Sequence, residues 1–113
     1  MSLHPDNFFI IWTNAPQVAG ATNDNSALLS DSFCGWAKDT LTKGLDAEFG
    51  KFPENVHVFD FFHKLAGTDG KLKLQYARGN SDSHPISAGT ALVAPQLVNE
   101  VLDAATTFEL IIG

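Results

Sequence analysis

An acid, a hydroxyl and a histidine occupy three consecutive positions, Asp82, Ser83 and His84, within Asn80-Ser81-Asp82-Ser83-His84-Pro85-Ile86-Ser87-Ala88-Gly89. An imidazole beside a carboxylate is the pair that general acid–base catalysis uses: the carboxylate holds one ring nitrogen while the other takes and returns a proton. Pro85 and Ser87 follow at once, which places the pair in a loop that runs into a helix. Gly89 lies where that helix could approach other backbone closely. None of Ser26, Ser30, Ser32, Ser81, Ser83 or Ser87 sits in a Gly-x-Ser-x-Gly turn, so no serine is placed as an activated nucleophile.

The other chemistry-bearing residues read as structure. Cys34 is the only cysteine, which rules out an internal disulfide and gives no metal spacing. It lies near Trp36 on an apolar helical stripe and reads as core. His57, inside an apolar run, reads as a satisfied core histidine, and His4 and His63 as surface. Four histidines without paired spacing make no zinc site, and no cofactor is expected. Asp60 and Asn14 each end an apolar run, where open α/β sheets place ligands, yet turn or cap chemistry explains them more simply. Trp12 and Trp36 read as core, although a carbohydrate site would also use them. Lys38, Lys43, Lys51, Lys64, Lys71 and Lys73 read as solvated.

These residues must be positioned by a single domain, since 113 residues with 44% hydrophobic and 11% aromatic content suffice for one core and no more. The net charge of −6 comes with scattered bases, so there is no basic patch for a phosphate backbone and no nucleic-acid partner is expected. No apolar run approaches the roughly 18–20 residues of a membrane span. The first residues carry no signal-like basic and apolar stretch. The compartment stays open.

Asn7 to Asn14 begins with a nearly continuous apolar run, read as a strand buried on both faces and stopped by Ala15-Pro16. A helix is expected from about Asn25, with Leu29, Phe33, Trp36 or Ala37, Leu41 and Leu45 on one stripe and Phe52-Pro53 closing it. Asn55 to Phe62 reads as a second buried strand. Gly67 to Gly70 is a turn, and 71–77 is a short edge strand or an extended loop. The last helix starts at Pro95, or starts at Ser87 and bends at Pro95. Strand, helix, strand, loop and helix in that order imply an α/β fold, a parallel sheet with helices on both faces. Two strands, with a doubtful third, leave an apolar edge open, so the sheet is expected to be incomplete or completed by oligomerisation.

Asp82-Ser83-His84-Pro85, with Ser87 and Gly89 just after, resembles the last conserved block of SGNH (GDSL-type) hydrolases, which include esterases, lipase-like enzymes and carbohydrate deacetylases. Softer likenesses agree in order and spacing. Asn7 to Pro16 is similar to a late strand of the family, Phe33 to Leu45 to the following helix, and Asn55 to Phe62 to a final strand. Together they span roughly Phe8 to Ala105. The resemblance implies a partial flavodoxin-like sheet and a Ser-His-Asp triad in which His84 is the base and Asp82 the acid. The family usually sets that acid three residues before the histidine, which is Ser81 here; Asp82 stands two before. It also implies earlier blocks that this chain lacks: Gly-Asp-Ser with the nucleophile, a glycine donor, and Gly-x-Asn-Asp. Gly20-Ala21-Thr22-Asn23-Asp24 imitates the last with one residue too many and after the wrong strand.

The expectation is therefore residues 1–113 as the C-terminal half of a larger SGNH hydrolase domain, inactive alone. Its substrate would be a small acyl ester or an acetylated carbohydrate, with the serine supplied by a missing N-terminal half or another chain. The alternative is a non-catalytic α/β remnant or a self-associating binding module. A homo-oligomer fits both readings.

Overall fold

Two parallel strands, β1 (Phe9–Trp12) and β2 (Val56–Phe59), pair in the register Phe9↔Val56 through Trp12↔Phe59. The computed structural model describes residues 3–44, 47–48, 50 and 53–112, the last two by their backbone. Between the strands runs α1 (Asp24–Gly35), which continues through Trp36–Leu41 with wider, π-type turns. After β2 come the short α2 (Phe61–Leu65) and the 26-residue α3 (Ser87–Ile112). This is the expected α/β arrangement with a two-stranded sheet. The expected helix end at Leu45, its closure at Phe52 and Lys51 lie outside the described residues.

Several boundaries differ from the sequence reading, each for a local reason. Asn23, rather than Asn25, caps α1, its side chain accepting from the Ser26 N–H at 2.8 Å. The second strand stops at Phe59, not Phe62, because the Asp60 side chain accepts the His63 N–H and starts α2. Residues 71–77 form no edge strand. One bridge joins Ala66 to Leu72, another joins Ala77 to Pro85, and a single 3₁₀ turn spans Leu74–Tyr76. Gly70, at φ 76°, closes the Gly67–Gly70 turn in a conformation that favours glycine. Pro95 does not divide α3. Its ring is on the exposed side, while Val93 before it is buried and Leu97 after it packs on the same core, so burial on both sides outweighs the ~3 kcal/mol an interior proline costs. The Gln96 side chain donates to the Leu92 carbonyl at 3.0 Å in the same turn.

Neighbouring strand residues point to opposite faces, and that decides where the core lies. His57 and Phe59 face α3. Phe59 is fully buried with Val18, Leu65, Leu72 and Val93. Cys34, Phe62 and Ala66 form a second cluster between α1 and α2. In the strand register Ile10 and Trp12 share the face of His57 and Phe59, but α3 covers β2 and leaves β1 open there. Ile10 is 38% and Trp12 49% exposed, so β1 is not buried on both faces as its composition suggested. The Cα radius of gyration of 15.7 Å exceeds the roughly 13 Å typical of a compact chain of this length. Among the described residues, no helix is long and apolar enough to cross a membrane.

Candidate functional site

The Asp82–His84 pair stands on a loop pinned at its neck. Ala77 bridges Pro85, and the Ile86 N–H donates to the Tyr76 carbonyl at 2.9 Å, so residues 78–84 project as one closed turn. The turn docks against the segment that leaves β1, where the Val18 N–H donates to Ser83 Oγ at 3.2 Å. Gly20 lies so close to the Asn80 carbonyl that any Cβ would collide with it. Its value is therefore close approach; the resemblance to Gly-x-Asn-Asp is incidental. The docking holds the loop to the chain that follows the carboxyl end of β1, where open α/β sheets place ligands.

Within the loop one carboxylate oxygen organises the histidine. Asp82 Oδ1 accepts the His84 backbone N–H at 2.9 Å and faces ring Nδ1 at 2.7 Å. The two-residue spacing thus reaches the ring nitrogen that a three-residue spacing would reach, because the turn folds the carboxylate back onto its own backbone. The His84 backbone N–H, then its ring, hold the Asp82 carboxyl below the usual carboxylate range. With the proton on Nδ1, Nε2 keeps its lone pair and has no partner among the described residues. The imidazole side chain is 88% exposed. This is the state in which a histidine accepts a proton from a nucleophile. No serine hydroxyl among the described residues contacts a histidine ring. Ser83, the nearest in sequence, is committed to the Val18 N–H.

A second constellation, which the sequence reading did not foresee, sits where both strands end. Thr13 Oγ1 donates to Asp60 Oδ1 at 3.1 Å and accepts the Phe62 N–H at 3.0 Å. His63 bridges two carboxylates, Nδ1 to Asp60 Oδ2 at 2.6 Å and Nε2 to Asp31 Oδ1 at 2.9 Å. Asp60 is buried with a side chain 3% exposed; His63 and Asp31 are each 34% exposed. Cys34 Sγ donates to Asn14 Oδ1 at 3.2 Å, and burial, with the charge of Asp60, pushes its thiol pKa up. A protonated, buried thiol is a poor nucleophile. His63 has both nitrogens occupied and offers no free lone pair, so this cluster fastens α1, α2 and the strand ends together. Asp60 and His63 lie three apart, a spacing that hints at a cap, but Asp31 is 32 residues from His63 and no local pattern connects them.

The chemistry of His63 carries a pH dependence. Burial opposes its charged form, but the hydrogen bonds and charges of Asp31 and Asp60 outweigh burial and raise its pKa above the ordinary 6.5. A raised folded pKa adds stability that is complete below about pH 6.5 and is lost as pH rises through the folded value. The thermal midpoint is therefore expected to fall between pH 6 and 9, and His63→Gln to flatten that slope. A midpoint independent of pH over this range contradicts the assignment.

The remaining candidates are placed as follows. Cys34 is core, as expected. His57 is not fully buried; its Nε2 meets Glu100 at 3.1 Å, with the ring 25% exposed. Trp36 is half-buried against Phe33, and Trp12 is half-exposed. Lys64 and Lys71 are not the solvated lysines expected. Lys64 packs over the Phe59 ring and reaches Gln96 and Glu100, and Lys71 pairs with Asp24 at 2.6 Å. Among the described residues no group of three or more His, Cys, Asp or Glu converges as a metal site. A cleft of about 320 Å³ opens beside the strand ends, lined by Asn14, Gln17, Thr22, Ser30 and Phe62 among others. No family model matches the chain, and neither a curated protein nor a solved structure matches it significantly.

Proposed function

We propose that this chain is the acid–base portion of an SGNH-type serine esterase. The observation that carries the reading is the 2.7 Å contact between Asp82 and His84 Nδ1 on an exposed loop, with Nε2 unpartnered among the described residues. In this reading the nucleophilic serine and the oxyanion donors come from outside these residues, from an upstream segment or a second chain. Serine attack on a small acyl ester, such as an acetylated sugar, passes the hydroxyl proton to His84 Nε2. Asp82 stabilises the resulting imidazolium. As the tetrahedral intermediate collapses, Nε2–H protonates the departing alkoxide, and water repeats the cycle to release the acid. The hydroxyl- and amide-lined cleft beside Asn14 and Gln17 suits a hydroxylated alcohol portion. The flavodoxin-like sheet belongs to the same reading: further strands would continue beyond β1.

A fluorophosphonate probe, which reacts with activated serines, tests where the nucleophile lies. The purified 113-residue chain is expected to remain unlabelled whether native or heat-denatured. Reading upstream of Met1 is expected to reveal a Gly-Asp-Ser block about 100 residues earlier, the length that further strands and their crossovers require. Labelling that depends on the native fold and on His84 would mean the nucleophile lies within these residues. The open apolar face of β1 favours a second reading, a non-catalytic self-associating module, for which no such upstream block exists.

A further inference from the structure

Among the described residues, the edge of β1 that turns away from β2 is unpaired, and it is uncharged. The Phe9 N–H donates to Asn55 and the Thr13 N–H to Phe59, so in a parallel ladder the odd-numbered residues face β2. The N–H and C=O groups of Ile10 and Trp12 are left on the outer edge. Natural edges are blunted by lysine, proline or a bulge; Phe9-Ile10-Ile11-Trp12 has none of these. Above this edge α3 overhangs with Leu97, Val98, Val101 and Leu102, which with Ile10 and Trp12 line an open apolar trough of about 470 Å³. Val98 and Leu102 are 55% and 60% exposed.

We propose that a second copy of this chain fills that trough, the two β1 strands pairing antiparallel about a two-fold axis at Ile11. Three observations select a second copy. The register is self-complementary: Ile10 stands opposite Trp12 of the other copy and exchanges both backbone hydrogen bonds with it, as does Trp12 with the other Ile10. Those side chains lie on the same face, giving two aromatic–β-branched pairs beneath the two α3 helices. Charge permits it, because each copy carries −6 yet the trough has no charged residue, and the register sets Asp6 opposite Pro16. Area suits it: the chain exposes 6966 Å², about 900 Å² more than a folded monomer of its mass, and a standard interface buries about 800 Å² per partner. The result is a four-stranded sheet, β2-β1-β1-β2, bounded on both sides by β2. This inference concerns the 113-residue chain by itself and does not rest on the esterase reading, in which upstream strands would take the same edge of β1.

Light scattering on the purified chain from about 1 to 100 µM tests it. The expected mass is twice the 12.2 kDa chain mass. Trp12→Lys and Leu102→Glu are each expected to weaken dimerisation by about 30-fold or more while far-UV circular dichroism keeps its helical signal. A mass of 12.2 kDa at every concentration overturns the proposal, as does open-ended assembly. A dimer untouched by both substitutions but lost in Leu29→Glu overturns it too, assigning the interface to the exposed Leu28, Leu29 and Phe33 of α1.

Discussion

In the esterase reading proposed above, His84→Ala is expected to lower ester hydrolysis by the assembled site about 10⁶-fold in kcat, and Asp82→Asn about 10⁴-fold, magnitudes that triad members show in serine hydrolases. The inequality has a physical origin. Without His84 no group takes the serine proton, whereas Asp82→Asn leaves a base of the wrong tautomer. KM stays within a fewfold, since neither group is asked to bind the acyl or alcohol portion. The fold is unaffected in the alanine variant, because the His84 side chain is 88% exposed and its removal leaves no cavity. Steady-state kinetics on the protein that carries both this chain and the nucleophile checks both numbers. Equal, small losses in the two variants would reduce Asp82–His84 to a capped loop.

Asp60→Ala destabilises the chain by about 3 kcal/mol, the low end of what breaking a buried pair costs. One buried carboxylate accepts from the Thr13 hydroxyl, the His63 N–H and the His63 ring. Its loss strands a buried hydroxyl and uncaps α2; the cost stays at the low end because His63 can shed its charge to solvent. Asp31→Ala removes only the outer, partly exposed contact of the same histidine and is expected to cost less than about 1 kcal/mol. Urea unfolding of the two variants separates them. Since a domain of this size holds only about 5–15 kcal/mol in total, the first change visibly lowers the midpoint and the second barely moves it. Equal effects would mean that burial of Asp60 is not what anchors the cluster.

Local chemistry made much of this legible from residues alone. The apolar runs around Phe9 and Val58 gave both strands, and the apolar spacing gave α1 and α3 but not the short α2, while Leu29 and Phe33 of the expected α1 stripe are exposed. Proline and serine at 85 and 87 marked the loop-to-helix passage that presents His84. What escaped reading depended on partners far along the chain. Trp12 looked like core because nothing local says that α3 lies over β2 and stops short of β1. His63 is exposed, as expected, but its pairing escaped notice because its second carboxylate, Asp31, comes from another helix. Lys64 and Lys71 looked solvated because their carboxylate and aromatic partners are distant in sequence. The Asp82 spacing looked one residue short, and only the turn at 82–84 shows that its oxygen reaches Nδ1.

The tautomer of His84 tests the central assignment most directly. Long-range ¹H–¹⁵N correlation on the neutral ring reports which nitrogen carries the proton. A free histidine places it mainly on Nε2, so an Nδ1-protonated ring with a bare Nε2 requires an acceptor at Nδ1. The Nδ1–H form is expected in the native chain, and its loss in Asp82→Asn. An Nε2–H ring in the native chain would contradict it, leaving His84 without the lone pair that a general base must present.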